Sequence, residues 1–145
     1  MLEFKELKEK PIDLMEEFDK ELKLDEYDKR NLKQSNVWFG VFKDNALIGF
    51  ICGRPFKKEP KEKNFFIFGL YLKREFRGKG IGEKLISSFA AYCKAKGYTK
   101  IIHTYLTEHS KKFLEKLGLK TFKRNAKDEW YFAIQRMQKR KNQYH

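Results

Sequence analysis

The sequence is short of the residues that staple or metallate a small fold. Its 145 residues include only two cysteines, Cys52 and Cys93, too few for a disulfide framework and not at metal-ligand spacing. Both lie in apolar-patterned segments and read as small buried hydrophobes. No metal site is expected, and a reducing, cytoplasmic setting is. Long apolar runs are missing too. The longest, residues 65–72, falls far below the about 20 residues that a membrane-spanning helix needs. The opening "MLEFKELKEK" mixes Lys with Glu and reads as no signal peptide. Nor does any repeat, low-complexity tract or Gly/Ser linker break the chain. One domain over residues 1–138 is expected, with a basic, fraying tail over 139–145.

Aromatic area and positive charge are plentiful. Fourteen Phe, seven Tyr and two Trp supply enough burial for a core, which argues against global disorder despite 37% charged residues. The net charge of +13 is unevenly placed. Residues 1–30 carry 7 basic and 11 acidic side chains, a balance of −4, while the remainder carries 26 and 9, a balance of +17. A field of that sign draws an anionic partner: nucleic acid, an acidic surface or a polyphosphate. A solvated Lys-rich surface gives the same numbers, so charge does not choose.

Periodicity orders the elements. "LEFKEL" (2–7) alternates like a strand. After Pro11, which suits the first turn of a helix, Ile12, Met15, Phe18 and Leu22 recur at helical spacing. A second short helix is expected near 25–33. "VWFGVF" (37–42) and "ALIGFICG" (46–53), joined at Asp44-Asn45, read as a β-hairpin, and 57–63 as a charged loop. "FFIFGLYL" (65–72) is apolar throughout, as a strand covered on both faces should be. Ile81, Leu85, Ile86, Phe89, Ala90 and Cys93 form a helical stripe that Gly97 can close. Residues 100–106 make a further strand, so 65–106 is a strand–helix–strand crossover and its strands run parallel. A helix over 109–117 and strands 119–124 and 129–137 finish the chain. The expected class is α/β: a single-domain mixed sheet, antiparallel at its start, with one parallel crossover at its centre.

Between the central strand and its helix stands "REFRGKGIGEKL" (74–85), with glycines at alternate positions 78, 80 and 82. A turn opening a helix presents unpaired N–H groups and the positive end of the helix dipole. Removing side chains there lets a phosphate approach the backbone. The string is neither a P-loop, which needs Gly-Lys-Ser/Thr, nor the G-x-G-x-x-G dinucleotide fingerprint.

Arg77, Gly80 and Gly82 fill the pattern R-x-x-G-x-G, which resembles the acyl-CoA signature of the GNAT superfamily of N-acyltransferases. "LYLKREFRGKGIGEKLI" is similar to that family's strand–turn–helix unit, "KKFLEKLGLK" (111–120) to its later helix, and "VWFGVFKDNALIGFICG" to its early hairpin. The resemblance implies a GNAT-like fold whose central strand pair splays apart, and an N-acetyltransferase that uses acetyl-CoA as co-substrate. It implies that the amides of Arg77, Gly78, Lys79, Gly80, Ile81 and Gly82 hold the pyrophosphate. Main-chain groups of Leu70 and Leu72 would pair with the pantetheine arm, and the amide of Leu70 or Tyr71 would meet the thioester oxygen.

Acyl transfer to an amine with a pKa of about 10.4 also needs a base, and the departing thiolate an acid. Here the chain departs from the family. Leu114 stands where the usual tyrosine acid would be, Thr107 where an asparagine is frequent, and "FFIFGLYL" carries no acid. Tyr105 and His103 share one face of the strand 100–106, which makes Tyr105 the candidate acid and His103 the candidate base. Glu108 and His109 are outsiders. The implied acceptor is a small-molecule or peptide amine. Nucleic acid is not the expected partner, since no recognition helix or RNA-binding aromatic signature occurs. No membrane is expected, and monomer and homodimer both stay open. The alternatives are a non-catalytic acyl-CoA-binding module and a basic nucleic-acid-binding protein.

Overall fold

The computed structural model describes residues 1–56, 63–98, 100–103, 120–124 and 127–133. In chain order the strands are β1 (Leu2–Glu6), β2 (Val37–Lys43), β3 (Ala46–Phe56), β4 (Asn64–Leu72), β5 (Lys100–His103), β6 (Lys120–Arg124) and β7 (Lys127–Ala133). The helices are α1 (Ile12–Leu22), α2 (Glu26–Gln34) and α3 (Ile81–Ala95). Contacts gather into two compact units, Met1–Arg54 with Phe68–Ile86, and Pro55–Ile67 with Ser87–His145. β3, β4 and α3 contribute residues to both.

In the first unit β1, β2, β3 and β4 are successive neighbours. β1 pairs antiparallel with β2 from Leu2↔Lys43 to Glu6↔Phe39. The β2–β3 hairpin closes on Asp44 and Asn45, at φ 49° and 70°, the left-handed pair that a two-residue hairpin turn requires. The Tyr71 carbonyl lies against Gly49 and Cys52 lies against Gly69, so β4 runs antiparallel to β3. β3 continues past the expected Gly53 to Phe56. The main-chain groups of Gly53 face β2, because its carbonyl accepts from Asn36 N–H at 3.1 Å. Alternation aims Pro55 the same way, beyond the last β2 pair Val37↔Gly53, where a missing N–H costs no ladder bond.

α1 and α2 pack on this sheet through Leu14, Phe18 and Leu32, which cluster with Trp38, Phe50, Cys52 and Tyr71. The Phe18 and Phe50 rings meet edge to face at 5.7 Å, and each such buried ring stabilises the fold by roughly 1.5–3 kcal/mol. The buried stripe of α1 is rotated from the expected one. Leu14 and Phe18 are buried and Met15 partly so, whereas Ile12 and Leu22 are exposed. Asp25 caps α2, its carboxylate accepting from Asp28 N–H at 2.8 Å.

In the second unit the order is β4, β5, β7, β6. β4 and β5 pair parallel from Asn64↔Lys100 to Ile67↔His103, as the crossover through α3 requires. β5 pairs antiparallel with β7, and β7 with β6. β7 starts earlier than the apolar pattern indicated, because Lys127 and Asp128 extend the ladder opposite Arg124 and Lys123. Phe65, Phe89, Cys93 and Ile101 are buried here. α3 ends in a Schellman motif: Gly97, at φ 91°, donates to Lys94 O at 3.0 Å and Tyr98 N–H to Cys93 O at 3.0 Å. The architecture is the expected mixed α/β fold with antiparallel N-terminal strands and a parallel strand–helix–strand crossover. The expected helix 109–117 and the strand ends at 104–106 and 134–137, including the segment where the central pair was expected to splay, lie outside the described residues.

Candidate functional site

The glycine turn belongs wholly to the first unit. β4 ends at Leu72, and Arg74–Phe76 form one 3-10 turn, closed by Phe76 N–H to Lys73 O at 3.0 Å and Arg77 N–H to Arg74 O at 3.1 Å. Gly78 and Gly80 then take φ values of 78° and 80°, which side chains other than Asn and Asp rarely adopt. A Cβ built at either glycine would meet nothing within 4 Å. Positive φ requires glycine-like freedom, but the space outside the backbone is empty of protein. Ile81 is buried and anchors the start of α3. The first bond closing the helix runs from Lys84 N–H to Gly80 O at 3.3 Å, so the N–H groups of Ile81, Gly82 and Glu83 precede the ladder and have no helical acceptor. Lys79 and Lys84 are exposed beside them. An anion laid on this turn would meet bare backbone, a helix N-terminus and cationic side chains together.

The end of β4 is also oriented by its neighbour. Lys73 N–H donates to Ile48 O at 2.9 Å and the Tyr71 carbonyl faces Gly49, so odd-numbered main-chain groups point at β3. Alternation turns those of Leu70 and Leu72 to the opposite edge, the edge a strand-like ligand would need. The same alternation commits the Tyr71 amide to β3 and leaves that of Leu70 as the donor on the other side.

The Arg77 N–H, expected among the pyrophosphate donors, is already spent on Arg74 O, and the side chain reaches α1. Its guanidinium forks onto Glu21 of α1, with Nη1 to Oε1 at 2.7 Å and Nη2 to Oε2 at 2.8 Å, while Nε donates to Leu72 O at 2.8 Å. The cation lies 5.5 Å from the Tyr71 ring centroid. Arg74 reaches the same Glu21 at 3.3 Å. The Arg77 hydrogen bond, with Arg74 adding, holds the Glu21 carboxyl down from its ordinary 4.5 to about 2, against the upward push of burial. Tyr71, which is buried, donates its hydroxyl to Glu17 Oε2 at 3.3 Å. Burial and the nearby Glu21 and Glu17 carboxylates raise the phenol above its ordinary value, so it keeps its proton at neutral pH.

Leu70, Tyr71, Leu72 and Arg77 to Gly82 are thus brought together at one corner of the first unit. His103 closes β5 in the second, opposite Ile67 and Trp130 in the ladder. Tyr105, Thr107, Glu108, His109 and Leu114 lie outside the described residues. Sequence reasoning missed Glu17 and Glu21. The signal was present: Leu14, Glu17, Phe18 and Glu21 follow helical spacing, and two acids on an apolar face imply partners. Among the described residues no group of three or more His, Cys, Asp or Glu could hold a metal ion, and no helix is long and apolar enough to cross a membrane.

Residues 4–119 match the model of the Acetyltransferase (GNAT) family. The chain belongs to the GNAT acetyltransferase family. Solved GNAT structures share its fold at low identity. An acetyltransferase of the family from Staphylococcus aureus Mu50 superposes with a TM-score of 0.72 at 14% identity, covering 92% of this chain and 99% of the other. A GNAT acetyltransferase from Elizabethkingia anophelis with acetyl-CoA bound gives 0.67 at 16%, covering 91% and 97%. Naa50 from Arabidopsis thaliana, in complex with the bisubstrate analogue CoA-Ac-MVNAL, gives 0.65 at 16%, covering 90% and 95%. No curated protein sequence matches the chain.

Proposed function

We propose that this GNAT-family chain moves an acetyl group from acetyl-CoA to a primary amine by direct attack within a ternary complex. The observation that carries the reading is the turn at Gly78 and Gly80, whose backbone is exposed and whose surroundings are open within 4 Å. The amides from Gly78 to Gly82 bind the pyrophosphate, that of Arg77, expected with them, being spent on Arg74 O. The outward main-chain groups of Leu70 and the N–H of Leu72 align the pantetheine arm, since Leu72 O already accepts from Arg77 Nε. The Leu70 amide donates to the thioester oxygen as negative charge develops there. The ammonium gives one proton to the base, and the amine lone pair bonds to the carbonyl carbon. As the tetrahedral intermediate collapses, nitrogen loses its second proton to solvent while the C–S bond breaks and the acid protonates the departing thiolate. No covalent enzyme intermediate is needed. Tyr105 is the proposed acid for the sulfur and His103 the proposed base. The acceptor is a small-molecule or peptide amine; the bisubstrate analogue bound to Naa50 joins CoA through acetyl to MVNAL.

Thiol release from acetyl-CoA across a panel of amines tests the activity and identifies the acceptor together. Release with at least one amine is expected. Removing only the hydroxyl with Tyr105→Phe should lower turnover about 100-fold while CoA affinity holds, and wild-type turnover in that variant would exclude Tyr105. Leu114, standing where the family's tyrosine acid is usual, favours a second reading as an acyl-CoA-binding module. CoA binding with no thiol release from any amine would select it.

A further inference from the structure

Resting on the acyl-CoA reading above, the geometry points to Glu21 as a positioning residue that acts through Arg77 and Arg74 to hold the cofactor turn in its binding shape. Glycines at positive φ lose more conformational freedom on ordering than any other residue. Packing does not offset this, since apart from chain neighbours no atom lies within 4 Å of a Cβ built at Gly78 or Gly80. The turn must therefore be fixed at its flanks. Ile81, buried at the head of α3, is one anchor. Arg77, the residue immediately before Gly78, is the other.

The 3-10 turn at Arg74–Phe76 explains why one carboxylate suffices. Side chains three residues apart eclipse in that geometry, so Arg74 and Arg77 project together. Both reach Glu21 Oε1, at 3.3 and 2.7 Å. Arg77 then ties the carboxylate to the end of β4 through Leu72 O. An exposed ion pair contributes little, but this pair is bidentate and partly buried, with side-chain exposures of 35% for Arg77 and 24% for Glu21, the geometry in which charged hydrogen bonds are strongest. The motif arginine is thus turned toward α1 as a brace, while Lys79 stands exposed on the turn.

The test compares wild type, Glu21→Gln, Arg77→Met, the double variant and Asp19→Asn. Asp19 is also on α1 but pairs only loosely with Lys29, at 3.8 Å. CoA binding is measured by titration calorimetry at a temperature where every variant is folded. Amide hydrogen exchange is followed over residues 73–80 of the ligand-free proteins. Each single variant at the brace should weaken CoA binding about tenfold. The double variant should be no weaker than the singles, because both act through one contact. Exchange over 73–80 should quicken in all three, and Asp19→Asn should match wild type in both readouts. Unchanged or tighter CoA binding by Glu21→Gln, additive losses in the double variant, or unaltered exchange would each overturn the proposal while the acyl-CoA reading stands. Failure of wild type to bind CoA would overturn that reading and this proposal with it.

Discussion

Two turns of the first unit place residues at positive φ with different side chains. In the β2–β3 hairpin the residues are Asp44 and Asn45, at 49° and 70°. Their side chains are kept, and Asp44 accepts from the N-terminal ammonium at 3.0 Å, which holds its carboxyl below the ordinary value. At the head of α3 the residues are Gly78 and Gly80, at 78° and 80°, in open space. Asn and Asp tolerate the left-handed region, and type II turns accept Asn at the positive-φ position. Backbone conformation alone would therefore strain them at the second turn less than other side chains, though more than glycine. On the proposed acyl-CoA reading, glycine there does more than satisfy φ: it keeps the outer face of the backbone bare for the ligand.

The largest effect that could break this comparison is electrostatic as well as steric. CoA at about 100 times its dissociation constant should stabilise the wild type by about 2.7 kcal/mol. Gly80→Asp places a side chain and a negative charge at the proposed pyrophosphate position, and the gain should vanish in a thermal melt. Equal CoA shifts in the two proteins would place the site elsewhere.

A smaller effect comes from the brace that only the second turn possesses. The folded-state pKa of Glu21 is lowered to about 2 from an ordinary 4.5, so its stabilisation is fully present above pH 4.5 and is lost as pH falls through 2. After discounting for the partial exposure of both partners, the contribution is about 1 kcal/mol. Urea melts between pH 5 and 2 should show Glu21→Gln losing that much less stability than wild type on acidification. Parallel curves would remove the brace from the account. Smallest of all is Asn45→Gly in the hairpin. It should change stability by a few tenths of a kcal/mol and leave CoA binding untouched, as calorimetry on the same samples would show.

What the sequence disclosed follows the range of its signals. Local patterns located α3, the hairpin and β4, and the alternate glycines marked the positive-φ turn between β4 and α3. Covalent neighbours fix φ and periodicity, so those features can be read from a window of a dozen residues. The Glu21–Arg77 fork joins positions 56 apart and Tyr71–Glu17 positions 54 apart. Neither distance is visible to periodicity, although the acids on the apolar face of α1 hinted at both. Ile12 and Leu22 were expected on the buried stripe with Met15 and Phe18, yet both are exposed and Leu14 turns inward beside Phe18. Packing against Phe50 and Tyr71 sets that rotation, and the apolar residues of α1 permit either.

The swap Gly80→Asn tests the central claim most directly, because it moves the hairpin's solution into the glycine turn. Stability from urea melts and CoA affinity from calorimetry are read on one preparation. If the glycine keeps the backbone bare for pyrophosphate, the variant should keep its stability within about 1 kcal/mol and bind CoA at least tenfold more weakly. Wild-type CoA affinity in a stable Gly80→Asn protein would contradict the claim and reduce the glycine to a residue that merely turns the chain.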